Sequence, residues 1–337
     1  GWGATALKHS TATDRQPNYI RVTHADQHAT LAHFRLGEGR RRILIIAGIH
    51  GREHGGIQAA YELLERLVNR HLYGRIDLLP VCNPLAYDAE TRFTPGSDRD
   101  MARSFTASAP SNLTEALSHA VLSLAEEAEV VLNLHSAGNA RYLPHVMFYR
   151  EQDAEFAASL GLPFAIKRGA PETLKHHIAS RLRPEQRTVT LELGGGTVAF
   201  PEDVSLGVDR LLAFLGRSGF LGSGDYEREA TPPDMIWLTD ARQSVRAPGE
   251  GAFYTDTEPG LDFAEGEPFG FWVGLDELRP HSLLAPTTGK LVYLRKRNRV
   301  PGGGNVAMFL PTNGSTVRGS AGTSRMRRST RYHEEET

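Results

Sequence analysis

Ile43-Leu44-Ile45-Ile46-Ala47-Gly48-Ile49-His50-Gly51-Arg52-Glu53-His54-Gly55-Gly56 is the stretch from which the fold can be read. Ile43–Ala47 is short, apolar and rich in β-branched residues, and Gly48 ends it, so it predicts a buried strand. Past the glycines, Ile57, Ala60, Tyr61, Leu64, Leu67 and Val68 recur at helical spacing. A strand and a helix are thus joined by a glycine-flanked loop that carries His50 and, three positions on, Glu53. Imidazole nitrogen and carboxylate oxygen are good zinc ligands, and a hydrolytic site needs three such ligands plus an open position for water. Alone, the pair reads equally well as two side chains hydrogen-bonded within a loop, because most histidines are not ligands and the chain has 14 of them. His54 competes for the ligand role but falls at the start of the helix, where a supporting or surface role is expected.

Working outward, Ile76–Cys82 reads as a second strand that stops at Asn83-Pro84. A helix follows Ser111, its expected N-cap, with Leu113, Leu117, Ala120, Val121 and Leu124 on one face. Val130–Leu134 and Thr188–Leu193 are further strands, and a helix spans about Val204–Leu215. Strands alternating with helices between Arg42 and Gly219 predict an α/β domain with a largely parallel sheet, which holds ligands at the carboxyl ends of its strands. His135 lies just past one such end and becomes the third candidate ligand beside His50 and Glu53. Glu192 lies near the end of another. A lone acid in an apolar strand is costly to bury unless it is paired or functional. Partial burial raises a carboxyl pKa and suits it to general-base work on zinc-activated water; an ordinary salt bridge is the alternative.

Beyond about Gly222 helical periodicity gives way to short apolar runs, such as Phe269–Val273 and Leu291–Leu294, separated by Gly/Pro-rich turns. The expected division is therefore an α/β domain over 1–221, a small all-β domain over 222–311 and a disordered tail over 312–337. The formal net charge of −2 and pI of about 6.8 give no footprint for nucleic acid or an anionic membrane. No apolar run approaches the roughly 18 residues of a membrane helix. The single cysteine, Cys82, excludes an internal disulfide, reads as a buried core thiol and fits a reducing cytoplasm. No signal peptide is visible at Gly1-Trp2-Gly3-Ala4. Assembly into a homo-oligomer stays open.

The combination of His50-x-x-Glu53, His135 and Glu192 in a Leu-Glu-Leu-Gly context resembles the zinc metallocarboxypeptidase superfamily, and within it the succinylglutamate desuccinylase/aspartoacylase branch. Asn83-Pro84-Leu85-Ala86 with Arg92-Phe93 resembles that branch's Asn-Pro-x-Ala…Arg-Phe, and Asp100-Met101-Ala102-Arg103-Ser104-Phe105 its Asp-Leu-Asn-Arg-x-Phe. Glu192–Val198 is similar to the bacterial N-acetyl-diaminobutyrate deacetylases, and Arg246-Ala247-Pro248 and Ala285–Gly289 to the branch's small β domain. The resemblance implies a metallocarboxypeptidase-like mixed sheet flanked by helices, followed by a small C-terminal all-β domain. It implies one Zn²⁺ per chain on His50, Glu53 and His135, Glu192 as general base and Arg92 on the scissile carbonyl. It further implies Arg103 on a substrate carboxylate, Asn83 beside the substrate, and a small N-acyl amino acid or related N-acylated amine as the substrate. A peptide-cleaving metallocarboxypeptidase and a non-catalytic zinc-binding protein are the alternatives. Two positions depart from the pattern: Ala102 stands where the family has Asn, and Asn133 where many relatives have Asp.

Overall fold

The computed structural model describes residues 16–168, 174–222, 237–238, 242–276 and 279–312. It begins with an antiparallel pair, β1 (Asn18–His24) and β2 (Gln27–Leu36), followed by β3 (Arg42–Ala47) and helix α1 (His54–Leu67). Next come β4 (Arg75–Leu79), α2 (Pro84–Asp88), α3 (Leu113–Ala125), β5 (Val130–His135), β6 (Ala140–Tyr142), β7 (His145–Phe148) and α4 (Ala154–Ser159). β8 (Ala165–Lys167), β9 (Arg187–Glu192), α5 (Pro201–Arg217) and β10 (Trp237–Leu238) complete this part. Among the described residues, one nine-stranded sheet runs β1-β2-β4-β3-β5-β9-β7-β8-β10. Its centre, β4-β3-β5-β9, is parallel as expected, whereas β2 joins β4 and β7 joins β9 antiparallel, so the sheet is mixed rather than largely parallel.

The apolar run at β3 is continuous because both faces of the sheet are covered. Ile43, Ile45 and Ala47 share a core with Leu63 and Leu67 of α1 and Leu211 and Leu215 of α5. Leu44 and Ile46, one pleat over, pack with Leu117 and Val121 of α3. Cys82 lies fully buried in that second core, and burial pushes its thiol pKa up, as befits an inert core residue. The N-cap of α3 is Asn112 rather than Ser111: the Asn112 side chain accepts from the Glu115 N–H at 2.9 Å. Ser111 instead donates its backbone N–H and hydroxyl to the Glu115 carboxylate, both at 2.8 Å. The second strand also ends earlier than the sequence predicts, at Leu79 before Pro80.

One charged cluster lies inside the sheet. Asp77 accepts from Arg75 at 2.9 Å and lies 2.7 Å from His33 Nε2. Burial opposes ionisation of the Asp77 carboxyl, but His33 and Arg75 outweigh it and hold its pKa below the ordinary value. A carboxyl with a depressed folded pKa adds stability that is present above its unfolded value of about 3.9 and is lost as pH falls through the folded value. Asp77→Ala leaves the buried Arg75 guanidinium and the His33 ring without their shared acceptor and is expected to cost about 3 kcal/mol. Urea denaturation at pH 7 checks this, and the difference between the two proteins should shrink below about pH 4.

The remaining strands are β11 (Gln243–Arg246), β12 (Gly251–Tyr254), β13 (Asp262–Phe263), β14 (Pro268–Gly274), β15 (His281–Leu284), β16 (Gly289–Arg295), β17 (Arg299–Val300) and β18 (Asn305–Pro311). They form two antiparallel sheets, β11-β18-β16-β13 and β15-β14-β12-β17, around a core that includes Phe253, Phe263, Phe269, Trp272 and Phe309. β6 extends the first of these, pairing Tyr142 with Tyr293 and Ala140 with Arg295. That pairing ties the all-β part to the strand ends of the large sheet. Residues 313–337, expected as a tail, lie outside the described residues.

Candidate active site

β3 ends at Ala47, Gly48 turns the chain with φ of 63°, and the Glu53 N–H donates to the His50 carbonyl at 3.2 Å. The first turn of α1 then packs directly on the end of β5: a Cβ at Gly56 would come within 2.8 Å of the Leu134 carbonyl oxygen. Only a glycine lets helix and strand approach so closely, and the approach brings Glu53 to His135. His135 Nδ1 lies 2.8 Å from one Glu53 oxygen and His50 Nδ1 lies 2.8 Å from the other. Both histidines and Glu53 are buried, and one donor atom from each lies within 4.8 Å of the others.

The protonation pattern follows from the neighbours. His50 Nε2 lies 2.9 Å from Asp100. Although burial works against it, contacts with His50, Arg92 and the Ala102 N–H hold the Asp100 carboxyl well below the ordinary range. An ionised Asp100 only accepts, so His50 keeps a proton on Nε2 and turns Nδ1 toward Glu53; burial works against its charged form, but Glu53 and Asp100 raise its pKa to about 9. That Nδ1 is within ion-pair distance of Glu53 yet lacks hydrogen-bond geometry to any described partner. A buried imidazole nitrogen aimed at the same point as a second imidazole and a carboxylate fits a cation, whose binding would displace the proton from Nδ1. The donor set of two nitrogens and one oxygen is one that zinc takes in open hydrolytic sites. Glu53 is held well below its ordinary pKa despite burial, by His50 and His135, so it is the anionic member of the set.

Glu192 ends β9, in register with His135 of β5 on one side and His145 of β7 on the other. It is 8% exposed, and its Oε2 has no hydrogen-bond partner among the described residues. Burial, reinforced by the Glu53 charge, raises its pKa. The salt-bridge alternative does not appear, since no ion pair to Glu192 is found among the described residues. Arg92 donates to Glu53 at 3.0 Å and to Asp100 at 3.3 Å, which leaves the rest of its five N–H groups for the cavity.

These residues line one cavity of about 620 Å³. Ala102 and Arg103 lie on its wall, with the Ala102 side chain at the position that departs from the family pattern. Asn83 is placed differently from the other candidates. It is fully buried and lies outside the cavity lining, its carbonyl capping α2 through the Ala86 N–H at 3.2 Å and its amide donating to Thr94 at 3.1 Å. Pro84 follows it directly, and a cap before a first-turn proline explains the Asn-Pro pair without any substrate. His54 begins α1, with its ring edge-on to Tyr87 at 5.7 Å, and stands outside the ligand cluster. Sequence reasoning gave no role to Asp100, although a carboxylate in a motif beside Arg103 was a signal for it. Tyr293 and Arg295 also line the cavity, and no local pattern marks them because β16 reaches the site only by pairing with β6.

Residues 40–215 match the family model described as the succinylglutamate desuccinylase/aspartoacylase catalytic domain. The chain belongs to this family. Members of the succinylglutamate desuccinylase/aspartoacylase family are deacylases, which places the chain among hydrolases. It is 28% identical over 243 residues to the N-alpha-acetyl-L-2,4-diaminobutyric acid deacetylase of Halomonas elongata, a match covering 68% of this chain and 70% of that protein. A succinylglutamate desuccinylase/aspartoacylase structure from Rhodobacter sphaeroides superposes with a TM-score of 0.73 at 23% identity, over 87% of this chain and 94% of that one. The product-bound ectoine utilization protein EutE (DoeB) from Ruegeria pomeroyi gives 0.72 at 19% identity, over the same shares. These likenesses extend the shared fold of the family past residue 215 into the C-terminal sheets. No helix among the described residues is long and apolar enough to cross a membrane.

Proposed function

We propose that the protein is a zinc-dependent deacylase that hydrolyses the amide of a small N-acyl amino acid or a related N-acylated amine. The observation that carries this reading is the convergence of His50 Nδ1, His135 Nδ1 and the Glu53 carboxylate beside the unpartnered Glu192 oxygen in one cavity. His50, Glu53 and His135 would hold a zinc ion, which when bound would supply Lewis acidity for the attacking water and the scissile carbonyl. Glu192 takes the proton from that water and returns it to the leaving nitrogen, a role for which a raised carboxyl pKa is suited. Arg92 faces the carbonyl oxygen and stabilises the negative charge that develops there. Arg103 reads a carboxylate on the substrate, its planar fork matching two oxygens. Asp100 fixes the His50 ring and tautomer, as outer partners of zinc-binding histidines do.

A cavity of about 620 Å³ walled on one side by Tyr293 and Arg295 is of a size for a small molecule, which favours a deacylase over an enzyme for long peptides. The name of the Halomonas elongata relative, a deacetylase of an N-acetylated amino acid, points the same way. Zinc-loaded protein tested against N-acyl amino acids and short peptides separates the two, since this reading expects turnover of the former; cleavage of peptides alone would favour the carboxypeptidase.

Two smaller effects follow. Asp100→Ala removes the anchor of His50 and is expected to weaken zinc binding by about 10–100-fold, read by competition with a chromophoric chelator. Arg103→Ala is expected to raise KM by about tenfold or more for a substrate with a free carboxylate, while its carboxamide analogue changes much less. Equal losses on both analogues would show that Arg103 reads no carboxylate. Where the family pair offers an amide and a guanidinium, this chain offers the Ala102 methyl group and the Arg103 guanidinium, which suits a bulkier or less polar group at that point. Ala102→Asn is accordingly expected to favour simple N-acetyl amino acids.

A further inference from the structure

One histidine on the cavity wall plays no part in the proposed chemistry. His177 lines the cavity with Ala102, Arg103 and Tyr149, and it is buried. It caps the short 3₁₀ turn Ile178–Ser180, where its Nδ1 accepts from the Ala179 N–H at 3.2 Å. A ring nitrogen that accepts carries no proton, so the imidazole is neutral and its proton is on Nε2. Burial, then His135 and Arg103, push its pKa down to about 3, in keeping with a neutral ring. The ring also packs on Tyr149, with centroids 3.9 Å apart and planes tilted by 35°. The hydrogen bond and the ring contact together fix the direction of the Nε2–H.

Backbone pairing sets this histidine beside Arg103. The Phe105 N–H, two residues past Arg103, donates at 3.0 Å to the carbonyl of His176, the residue before His177. Arg103 acts electrostatically both on the His177 ring and on the Tyr149 ring against which it packs. The Nε2–H of His177 meets no acceptor among the described residues. Asp100, the carboxylate that acts on it, is engaged at both oxygens. His50 Nε2 and the Ala102 N–H lie at Oδ1, each at 2.9 Å, and Arg92 reaches Oδ2 at 3.3 Å. The Ala102 side chain is a methyl group and accepts nothing. A fixed donor that opens on a cavity beside a guanidinium suits an anionic oxygen of the substrate.

We propose that His177 is a specificity-determining residue, whose Nε2–H donates to an oxygen of the substrate carboxylate beside the Arg103 guanidinium. The proposal rests on the deacylase reading and adds a second donor to the carboxylate already assigned to Arg103. Two variants separate it from a histidine that only caps its turn. His177→Asn keeps an acceptor near the position of Nδ1 and loses the outer donor, whereas His177→Gln keeps an outer N–H and loses the acceptor. Both are assayed beside wild type on the best N-acyl amino acid and its carboxamide analogue, with zinc content and thermal unfolding measured on the same samples. Wild type is expected to favour the carboxylate through KM. His177→Asn should retain zinc and kcat but lose about tenfold of that preference, the scale of one hydrogen bond to a charged group. His177→Gln should recover part of it even where the lost cap lowers its unfolding temperature. An unchanged preference in His177→Asn, or equal losses in the two variants, overturns the proposal. Imidazole NMR of wild type gives a readout that needs no variant. The Nε2–H resonance of His177 should move downfield with the carboxylate ligand and not with the carboxamide, and no movement overturns the proposal. If wild type cleaves no amide, the deacylase reading fails separately, and calorimetry with N-acetylglycine and N-acetylglycinamide reads the same preference in the same proteins. Its absence from wild type, or its survival undiminished in His177→Asn, then overturns the proposal.

Discussion

Glu192→Gln is expected to keep its zinc and to lose at least about a hundredfold in kcat, the scale of a missing general base. The substitution is nearly isosteric, and Glu192 is not one of the three ligands, so the metal site should stay intact. Its Oε2 has no described partner to lose, which means that the fold gives up little when the carboxylate becomes an amide. Burial and the Glu53 charge already favour the neutral form of Glu192, and glutamine keeps that neutral state. The variant should therefore be as stable as wild type or slightly more stable, with nearly all of the damage in kcat. Stopped-time assays on the best substrate, with zinc content measured on the same sample, check the expectation. Near-normal turnover would move the base elsewhere.

The second large effect is on the metal. Wild type is expected to hold about one zinc per chain, and His50→Ala, Glu53→Ala and His135→Ala are each expected to weaken binding by more than the ~10–100-fold typical of an outer-sphere partner. Glu53→Ala should do most harm to the fold as well. Its carboxylate faces both imidazoles, accepts from Arg92 at 3.0 Å and from the Ser136 N–H at 3.3 Å, so its loss leaves several buried donors unmatched. Elemental analysis after dialysis, paired with thermal unfolding, separates loss of metal from loss of fold. Full zinc retention in all three variants would contradict the ligand assignment.

Much of the site was legible because its chemistry sits at strand ends that announce themselves. The continuous apolar runs of β3, β5 and β9 mark strands covered on both faces, and His50, His135 and Glu192 follow or close them. Parallel neighbours in the sheet then bring those ends together, as the His135–Glu192 register shows. The antiparallel flanks were not legible in the same way. β1 and β2 are half-exposed and carry polar residues at alternate positions, while β6, β7 and β8 run only three or four residues and are too short for any periodicity to register. Asn83 is ambiguous for a different reason: a helix cap before proline and a substrate contact leave the same residue type in the sequence. The cavity wall made by Tyr293 and Arg295 depends on a pairing between segments about 150 residues apart, which no local pattern can report.

Reversible loss of activity on removing zinc tests the central claim most directly. Protein stripped with a strong chelator should release no amine from an N-acyl amino acid that the untreated protein hydrolyses, and one equivalent of zinc per chain should restore the rate. Hydrolysis that continues unchanged in protein shown by elemental analysis to be free of metal would contradict the account.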